Sequence, residues 1–347
     1  MSKKRDIRAL SRADLRGYFV EMGDKAFRGD QVYEWLWNKS AKGFSDMTNL
    51  SKGLREHLEA HFSINHIHVD KMQRSSDGTI KNAIKLHDGL VVESVLIPTD
   101  TRITACISSQ VGCSLDCQFC ATARLKRMRN LNPDEIYDQV VAIKEQAELY
   151  FDRPLTNIVL MGMGEPLMNY KNVMAAIDKI TSPEGLGMAS KRITLSTVGV
   201  AKGIRRLADD DVKFNLALSL HSGREVVRKD IMPFTEHNPL DQLKDALKYF
   251  HGKTGKKVTY EYVVWEGIND QDEDIDALLE FCRLVPSKVN LIQYNPIGDT
   301  RFVPVAGPQL EHYIERLRAE GVVVNVRISR GQDIDAACGQ LANKESA

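Results

Sequence analysis

Three cysteines lie within eight residues of this 347-residue sequence, in the pattern Cys-x3-Cys-x2-Cys formed by Cys113, Cys117 and Cys120. Thiolates are the ligands that iron–sulfur clusters require, and three of them would leave one iron of a four-iron cluster without a protein ligand. An open coordination position indicates binding of a substrate or cofactor, as it does at catalytic zinc sites. A zinc site completed by a distant fourth ligand, or a chance grouping, is the alternative.

The other three cysteines are Cys106, seven residues before the triple, and Cys282 and Cys338, which stand apart. In a reducing compartment, thiols stay free unless they bind metal or take part in chemistry. Cys106 lies in a predicted strand and Cys282 in an apolar helical segment, where packed core thiols are the ordinary interpretation. Cys338 lies among small residues, so an exposed loop and a functional thiol are equally supported there.

The elements that must position these residues alternate between strand and helix from residue 102 onward. The predicted strands are 102–108, 157–161, 192–196, 213–220, 257–264, 288–294 and 322–328. The predicted helices are 133–150, 170–180, 239–250, 272–284 and 308–320. Repeated strand–helix units predict an α/β fold with a parallel sheet and right-handed crossovers, and this length favours a complete or partial barrel.

The first hundred residues follow other patterns. Residues 1–65 predict a small helical domain, with helices at 14–22, 29–38 and 52–62, that is either a structural appendage or an adaptor for a partner. Residues 66–98 predict a β-hairpin linker region, in which His87-Asp88-Gly89 forms a turn of the Asp-Gly type. The remaining predicted parts are the α/β core at 99–333 and a C-terminal loop at 334–347 that carries Cys338.

Nearly every unusual cluster of residues comes directly after a predicted strand. The cysteine triple follows the first strand, and later strands are followed by Gly162-Met163-Gly164-Glu165-Pro166, Ser196-Thr197, His221-Ser222, Asn295-Pro296 and Cys338. In parallel barrels, the loops after the carboxyl ends of the strands line the face that holds the functional site. These residues are therefore predicted to converge on one cavity.

Several of these motifs are ambiguous when taken singly. The segment around Gly164 could be a tight turn that needs a positive φ, and it lacks the third glycine of a dinucleotide fingerprint. After a parallel strand, it could also bring Glu165 close to the cationic amino group of a ligand. His221 alone is typical of a structural histidine, and Glu93, within a strand pattern, is typical of a solvent-facing residue.

The composition excludes several classes of protein. With 47 Lys+Arg, 47 Asp+Glu and 43% hydrophobic residues, the chain is not disordered, collagen-like or a disulfide scaffold, and no overall charge draws it to nucleic acid. The basic residues Arg124, Lys126, Arg127 and Arg129 form either a solvated face or a phosphate contact. We expect a cytoplasmic protein with no membrane partner, because the N-terminal sequence lacks the apolar stretch of a signal peptide and no apolar run is long enough to span a bilayer.

Taken together, the motifs resemble those of the radical-SAM superfamily and, within it, the RlmN/Cfr family of RNA methyltransferases. The resemblance rests on the cysteine triple with Phe119 before its third cysteine, and on segments 105–113, 161–167, 195–197, 219–221 and 333–341. It covers essentially the whole chain. It implies a partial (βα)6 radical-SAM barrel with a small helical N-terminal domain.

The resemblance also implies cofactors and a reaction. The cofactors are a 4Fe-4S cluster on the cysteine triple and two molecules of S-adenosyl-L-methionine per turnover, whose reductive cleavage yields a 5′-deoxyadenosyl radical. The implied S-adenosylmethionine pocket consists of Gly164, Glu165, Ser196, Ser219, Leu220, His221 and Asn295. The implied reaction is methylation of adenosine C2 in 23S rRNA, at the peptidyl transferase centre, and in tRNA, 3′ of the anticodon. Two alternatives are Cfr-like methylation of C8 and a non-catalytic iron–sulfur protein that binds RNA or acts as a sensor.

Adenine C2 carries no lone pair, so simple displacement on a sulfonium cannot methylate it. The resemblance implies that Cys338 first becomes S-methylcysteine, and that Cys106 later releases the RNA by forming a transient disulfide with Cys338. It implies Glu93 as a general base for the C2 proton, a task that Cys106 could also perform. The expected partners are the RNA substrates and a flavodoxin-type electron donor, and the expected state is a monomer.

Overall fold

The N-terminal region is a three-helix unit. The computed structural model describes residues 4–343, so residues 1–3 of the predicted helical domain and residues 344–347 of the predicted C-terminal loop lie outside the described part of the chain. The helices of this unit are α1 (Arg12–Glu21), α2 (Phe27–Trp37) and α3 (Lys52–His61), and its short parallel strands are β1 (Arg5–Asp6) and β2 (Phe62–Ser63). Ser11 begins α1 with a capping box shared with Asp14, which satisfies backbone N–H groups at the start of the helix. The three predicted helices are therefore present to within two residues at each end.

Three antiparallel strands follow and form what we call the β-extension. They are β3 (His68–Arg74), β4 (Ile80–Lys85) and β5 (Val91–Pro98). The predicted hairpin is present as β4 and β5, with Gly89 at φ +85° in its turn. The sequence did not predict β3, because this strand lies at a sheet edge and its mostly polar residues show no apolar alternation.

Seven parallel strands form the barrel. They are β6 (Ile103–Cys106), β9 (Asn157–Leu160), β10 (Ile193–Thr197), β11 (Asn215–Ser219), β12 (Val258–Tyr262), β13 (Ser287–Ile292) and β14 (Val323–Arg327). The helices between them are α4 (Pro133–Phe151), α5 (Tyr170–Thr181), α6 (Ala201–Asp209), α7 (Glu225–Ile231), α8 (Leu240–Thr254), α9 (Asp272–Leu284) and α10 (Gly307–Ala319). Short antiparallel strands β7 (Gln110–Val111) and β8 (Arg129–Asn130) flank the cysteine loop. Six strand–helix units precede β14, which confirms the predicted α/β class and partial (βα)6 barrel.

Two helices, α6 and α7, were missed by the sequence analysis. Helix α6 contains Gly203, a poor helix former, and α7 has only seven residues. The glycine is required by packing, because a Cβ at Gly203 would lie 2.9 Å from side-chain atoms of Leu167. The low helix propensity of Gly203 is thus tolerated, because the missing side chain lets α6 approach the loop that follows β9.

The β-extension and the barrel share one ten-stranded sheet, in the order β14-β13-β12-β11-β10-β9-β6-β5-β4-β3. The last barrel strand and the first strand of the β-extension are therefore the two edges of this sheet. After β14 the chain returns to the β-extension, where Gly331 N donates a hydrogen bond of 2.9 Å to the Asp77 carboxylate. The C-terminal segment thus links the two edge regions of the sheet.

The N-terminal unit packs on α4. Buried Arg8 pairs with Asp134 at 3.1 Å and with Asp138 at 2.8 Å, and the Trp37 ring meets Tyr137 edge-on at 5.2 Å between centroids. Apolar side chains of this unit and of the barrel belong to one continuous core. Among the described residues, no helix is both long and apolar enough to cross a membrane.

Candidate active site at the carboxyl ends of the barrel strands

One cavity opens at the carboxyl ends of the barrel strands, and we call it the strand-end cavity. The predicted site residues among those that line it are Cys113, Cys117, Cys120, Gly164, Glu165, Ser196, Ser219, His221, Asn295 and Cys338. These residues span more than 200 positions of the sequence, and the strand order alone brings them together. Leu220, in contrast, is fully buried, and its carbonyl accepts a hydrogen bond from Arg228 Nε.

The cysteine loop follows β7, and its backbone conformation depends on a glycine. Gly112 has φ +74°, and a Cβ at this position would lie 2.4 Å from the carbonyl oxygen of Lys126. Only glycine fits so close to the backbone of Lys126, which lies on the returning side of the loop. This contact sets the direction in which the chain enters the segment from Cys113 to Cys120.

The three cysteines of the loop all line the strand-end cavity. Among residues 4–343, no group of three or more His, Cys, Asp or Glu side chains is close enough together to hold one ion. In a cubane each thiolate binds a different iron, so three sulfurs spread around a cavity suit it. Burial raises the pKa of the Cys113 thiol to about 11 and also raises the pKa of Cys117 and Cys120. An iron cluster would supply the positive charge that stabilises these thiolates.

Gly164 and Glu165 form the wall that follows β9. Gly164 has φ +92°, and a Cβ there would lie 2.5 Å from the Gln110 side chain. The Glu165 carboxylate accepts hydrogen bonds of 2.9 Å from Leu167 N and from Val198 N. Burial nevertheless raises its pKa to about 7. A fixed, desolvated carboxylate of this kind suits an ammonium group, whose charge would compensate for the burial.

His221 and two serines line the wall after β10 and β11. The Ser196 and Ser219 hydroxyls lie 3.4 Å apart, which suits the recognition of ribose hydroxyls. His221 Nδ1 accepts a hydrogen bond of 3.2 Å from Val263 N, and burial lowers the pKa of the ring to about 3. His221 is thus neutral, and it combines a structural contact with a place in the cavity wall.

A second cavity continues from the strand-end cavity into the barrel, and we call it the inner cavity. Cys338 and Cys106 are both at its wall, and residues such as Cys120, Gly162 and Arg327 line both cavities or their junction. Burial, and then the nearby Cys338, raise the pKa of Cys106 to about 12. All six cysteines are free thiols in this structure, so the predicted disulfide is not supported as a resting bond.

Glu93 does not line either cavity among the described residues. The expectation that its strand position faces solvent is wrong, because the side chain is only 3% exposed. The C-terminal segment covers this face of β5, and Ala342 N and Asn343 N donate hydrogen bonds to Glu93 Oε2 at 2.8 and 3.2 Å. Lys81 Nζ lies 3.5 Å from Glu93 Oε1.

The wall shared by the two cavities contains a charged pair, Glu261 and Arg327, that was not predicted from the sequence. Glu261 on β12 lies 3.0 Å from Arg327 on β14 and accepts a hydrogen bond of 2.8 Å from Asn290 on β13. The only sequence signal is a glutamate inside an otherwise apolar strand. Arg327 also exerts an electrostatic pull that lowers the pKa of Cys106, against the larger effect of burial.

The basic group beyond the cysteine loop divides into two kinds of residue. Arg124 pairs with Asp299 at 3.0 Å, and Arg129 pairs with Asp88 at 2.6 Å and with Glu135 at 2.7 Å. Lys126 and Arg127 have exposed side chains, whereas Arg124 and Arg129 form ion pairs within the fold.

Comparison with known proteins adds an independent line of evidence. Residues 5–64 match the family described as "Ribosomal RNA large subunit methyltransferase N-terminal domain", and residues 107–282 match the "Radical SAM superfamily". The chain is 66% identical over 343 residues to a probable dual-specificity RNA methyltransferase RlmN of Flavobacterium psychrophilum, covering 99% of each chain. It is 40% identical over 342 residues to the dual-specificity RNA methyltransferase RlmN of Geotalea uraniireducens, covering 99% of this chain and 98% of that relative.

A solved structure agrees with this result. The fold matches the crystal structure of a radical SAM methyltransferase from Sphaerobacter thermophilus with a TM-score of 0.91 and 36% sequence identity. The match covers 97% of this chain and 99% of the other. The likeness therefore extends well beyond the barrel, since a match of this coverage must include most of the N-terminal unit and the β-extension.

Proposed function

Because the chain belongs to the RlmN family of radical-SAM RNA methyltransferases, we propose that it methylates C2 of adenosine in 23S rRNA and in tRNA by means of a methyl group carried on Cys338. The observation that carries this proposal is the position of Cys338 at the cysteine-lined strand-end cavity, in a space continuous with Cys106. A carrier thiol must reach both the cofactor and the resolving thiol, and Cys338 borders on both.

The side chains that line the strand-end cavity support a site for each cofactor. Cys113, Cys117 and Cys120 would hold a 4Fe-4S cluster through three thiolates. The S-adenosylmethionine pocket is proposed at Gly164, Glu165, Ser196, Ser219, Leu220, His221 and Asn295, with Leu220 acting from behind the wall between Ser219 and His221. When bound, the cluster and S-adenosylmethionine supply a carbon radical that removes a hydrogen atom from a methyl group.

Cys338 and Cys106 divide the transfer between them. The Cys338 thiolate takes the methyl group of one S-adenosylmethionine and forms an S–C bond, with S-adenosylhomocysteine as the leaving group. After hydrogen removal, this carbon bonds to C2 of the adenine, which ties the RNA to Cys338. Release breaks the S–C bond as the Cys106 thiolate forms a disulfide with Cys338, and the released carbon keeps the bonding electron pair and takes up a proton to become the methyl group. The unpaired electron left by the radical addition would pass to the oxidised cluster. A thiol reductant must then return both cysteines to the free state before the next turnover.

The C2 proton must leave before release. Cys106 lines the inner cavity beside Cys338, whereas Glu93 is held by the C-terminal segment. This arrangement favours Cys106 as the proton acceptor. Arg327 would favour the Cys106 thiolate, the form that can accept this proton, against the larger effect of burial. The resulting thiol must lose the proton again before its sulfur attacks Cys338.

RNA is proposed to contact the molecule at two places. Exposed Lys126 and Arg127 lie directly beyond the cysteine loop, where they can pair with phosphates. The N-terminal unit is the second place, since it matches a family described as part of a ribosomal RNA methyltransferase. We propose domain limits of 1–65, 66–98, 99–333 and 334–347, a flavodoxin-type electron donor, and a monomeric enzyme.

The test uses the reconstituted full chain without oxygen, a strong reductant, S-adenosylmethionine, and transcripts of 23S rRNA and tRNA. We expect 2-methyladenosine in both RNAs by nucleoside mass spectrometry. A product of 8-methyladenosine would replace the proposed C2 chemistry with the Cfr-like alternative. A failure to cleave S-adenosylmethionine, with the cluster intact, would favour the non-catalytic iron–sulfur protein.

A further inference from the structure

Residues 329–343, which we call the C-terminal strap, carry Cys338 and are anchored at their start to the turn between β3 and β4. The Asp333 carboxylate accepts hydrogen bonds from Ser75 Oγ at 2.6 Å and from Ser76 N at 3.0 Å. The Asp77 carboxylate accepts one from Gly331 N at 2.9 Å. Hydrogen bonds to ionised carboxylates are stronger than those between neutral groups. The anchor therefore consists of two carboxylates, one on each partner.

The far end of the strap is anchored to β5 and to the cysteine loop. Glu93 Oε2 accepts hydrogen bonds from Ala342 N and Asn343 N at 2.8 and 3.2 Å, and Asn343 Nδ2 donates to Val91 O at 2.8 Å. Thr122 Oγ1 donates to Leu341 O at 2.7 Å. A buried carboxylate without partners is costly, so Glu93 holds these two backbone groups firmly.

Cys338 lies between the two anchors, above the strand-end cavity. Asn295 Nδ2 donates to Cys338 O at 3.1 Å, and Ala121 N donates to Gly339 O at 2.7 Å. Cys338 itself is exposed and lines both cavities. The backbone is thus fixed on either side of the sulfur, while the sulfur faces open space.

We propose that the β-extension is the mount that positions Cys338, with Asp77, Glu93 and Asp333 as positioning residues. This inference rests on the proposed role of Cys338 as the methyl carrier. Neither family model that the chain matches includes residues 65–106, which contain the β-extension, or the strap itself. The hydrogen bonds support a positioning role for the β-extension, because they connect its β3–β4 turn and its last strand, β5, to the two ends of the strap.

A positioning role for Glu93 and a role as general base act at different stages of the reaction. A positioning residue acts before RNA arrives, when Cys338 takes its methyl group. A general base acts only after RNA is bound to Cys338. The two roles are therefore separated by the methyl occupancy of Cys338 in protein that has not met RNA.

The experiment compares purified, reconstituted wild-type chain with Glu93→Gln, Asp333→Ala, the conservative Asp333→Asn, and Asp100→Ala. Asp100 is a matched control, since it is an exposed carboxylate just beyond β5 that lies outside the strap anchors. The first readout is hydrogen–deuterium exchange of the strap amides, which needs neither cofactor nor RNA. The second is the fraction of Cys338 that carries a methyl group after incubation with S-adenosylmethionine.

We expect faster exchange at residues 331–343 in Asp333→Ala, with unchanged exchange in β9 to β13, and about a tenfold slower methylation of Cys338. Glu93→Gln and Asp333→Asn should show the same changes to a smaller extent, because an amide oxygen still accepts a hydrogen bond, though a weaker one than a carboxylate accepts. Unchanged strap exchange and wild-type methylation would overturn the mount. Normal methylation in Glu93→Gln, followed by accumulation of an RNA adduct, would overturn its positioning role in favour of a base. A wild-type chain that never carries a methyl group on Cys338 would instead contradict the proposed function, whatever the exchange result.

Discussion

The strand-end cavity and the C-terminal strap meet at Cys338, but different forces hold them. The wall of the cavity is attached to strands whose side chains are fully buried, such as Leu195 on β10 and Leu218 on β11. The strap buries only a few small or apolar side chains, including Ala337 and Leu341. Hydrogen bonds that involve the carboxylates of Asp77, Glu93 and Asp333 attach it to the β-extension.

Apolar packing suits the cavity wall, which must keep its position, and hydrogen bonding suits the strap, which carries the proposed methyl carrier. Apolar packing holds a wall in one place, because moving it opens cavities that cost several kcal/mol. A hydrogen-bonded segment opens locally at a smaller cost than global unfolding, since each neutral bond contributes about 1 kcal/mol net and each bond to a carboxylate about 1.5–3 kcal/mol. A thiol that must accept carbon from one molecule and deliver it to another is better placed on the second kind of support.

The largest effect should come from removing one sulfur from each region. Cys117→Ala removes a cluster ligand from the wall, so we expect loss of bound iron, of S-adenosylmethionine cleavage and of RNA methylation. Cys338→Ala should keep its iron but lose RNA methylation by on the order of 10⁴-fold or more, because the carrier is missing. Iron and sulfide analysis with nucleoside mass spectrometry measures both, and Cys282→Ala is the control outside the two cavities. Methylated RNA from Cys338→Ala would contradict the assigned carrier.

Cys106→Ala should stop the reaction at a later point. Without the resolving thiol, the bond between the RNA and Cys338 cannot be exchanged for a disulfide, so a covalent enzyme–RNA species should accumulate to about one per active enzyme. Denaturing gel electrophoresis with labelled RNA detects it. Free methylated RNA and no adduct would remove the resolving role from Cys106.

A stability comparison sharpens the contrast between packing and hydrogen bonding. Leu195→Ala leaves a cavity beside a fully buried strand and should lower the free energy of unfolding by about 3 kcal/mol. Thr122→Val removes the hydroxyl that donates to Leu341 O and should cost about 1 kcal/mol. Denaturant unfolding gives the global values, and hydrogen exchange should show that the second loss is confined to the strap. Equal global destabilisation by the two variants would contradict the proposed difference in support.

The smallest effect should come from the exposed basic pair beside the cavity. Lys126→Ala with Arg127→Ala removes two proposed phosphate contacts, so the slope of log affinity against log salt should become shallower by about 2. Iron content and cleavage of S-adenosylmethionine should stay unchanged. Lys248→Ala with Lys257→Ala is the matched control, because both lysines are exposed away from the cysteine loop. An unaltered salt slope would exclude this surface from RNA binding.

The sequence predicted the barrel because its strands are buried, and buried strands appear as β-branched and apolar runs. It also predicted that residues from Cys113 to Asn295 would converge, since they all follow strands that point the same way. It did not predict the strap anchors, because the pairing of Ser75 with Asp333 joins polar residues 258 positions apart and leaves no periodic trace. Glu93 was predicted to face solvent for the same reason, because its face of β5 is buried only when the strap folds over it.

The most direct test of the carrier role follows one carbon atom. The chain is purified with a ¹³C-labelled methyl group on Cys338 and is then given RNA and unlabelled S-adenosylmethionine for a single turnover. We predict that the label leaves the Cys338 peptide and appears at C2 of the adenosine product. Methylated RNA without ¹³C, with the label still on the protein, would contradict the central claim that Cys338 delivers the carbon.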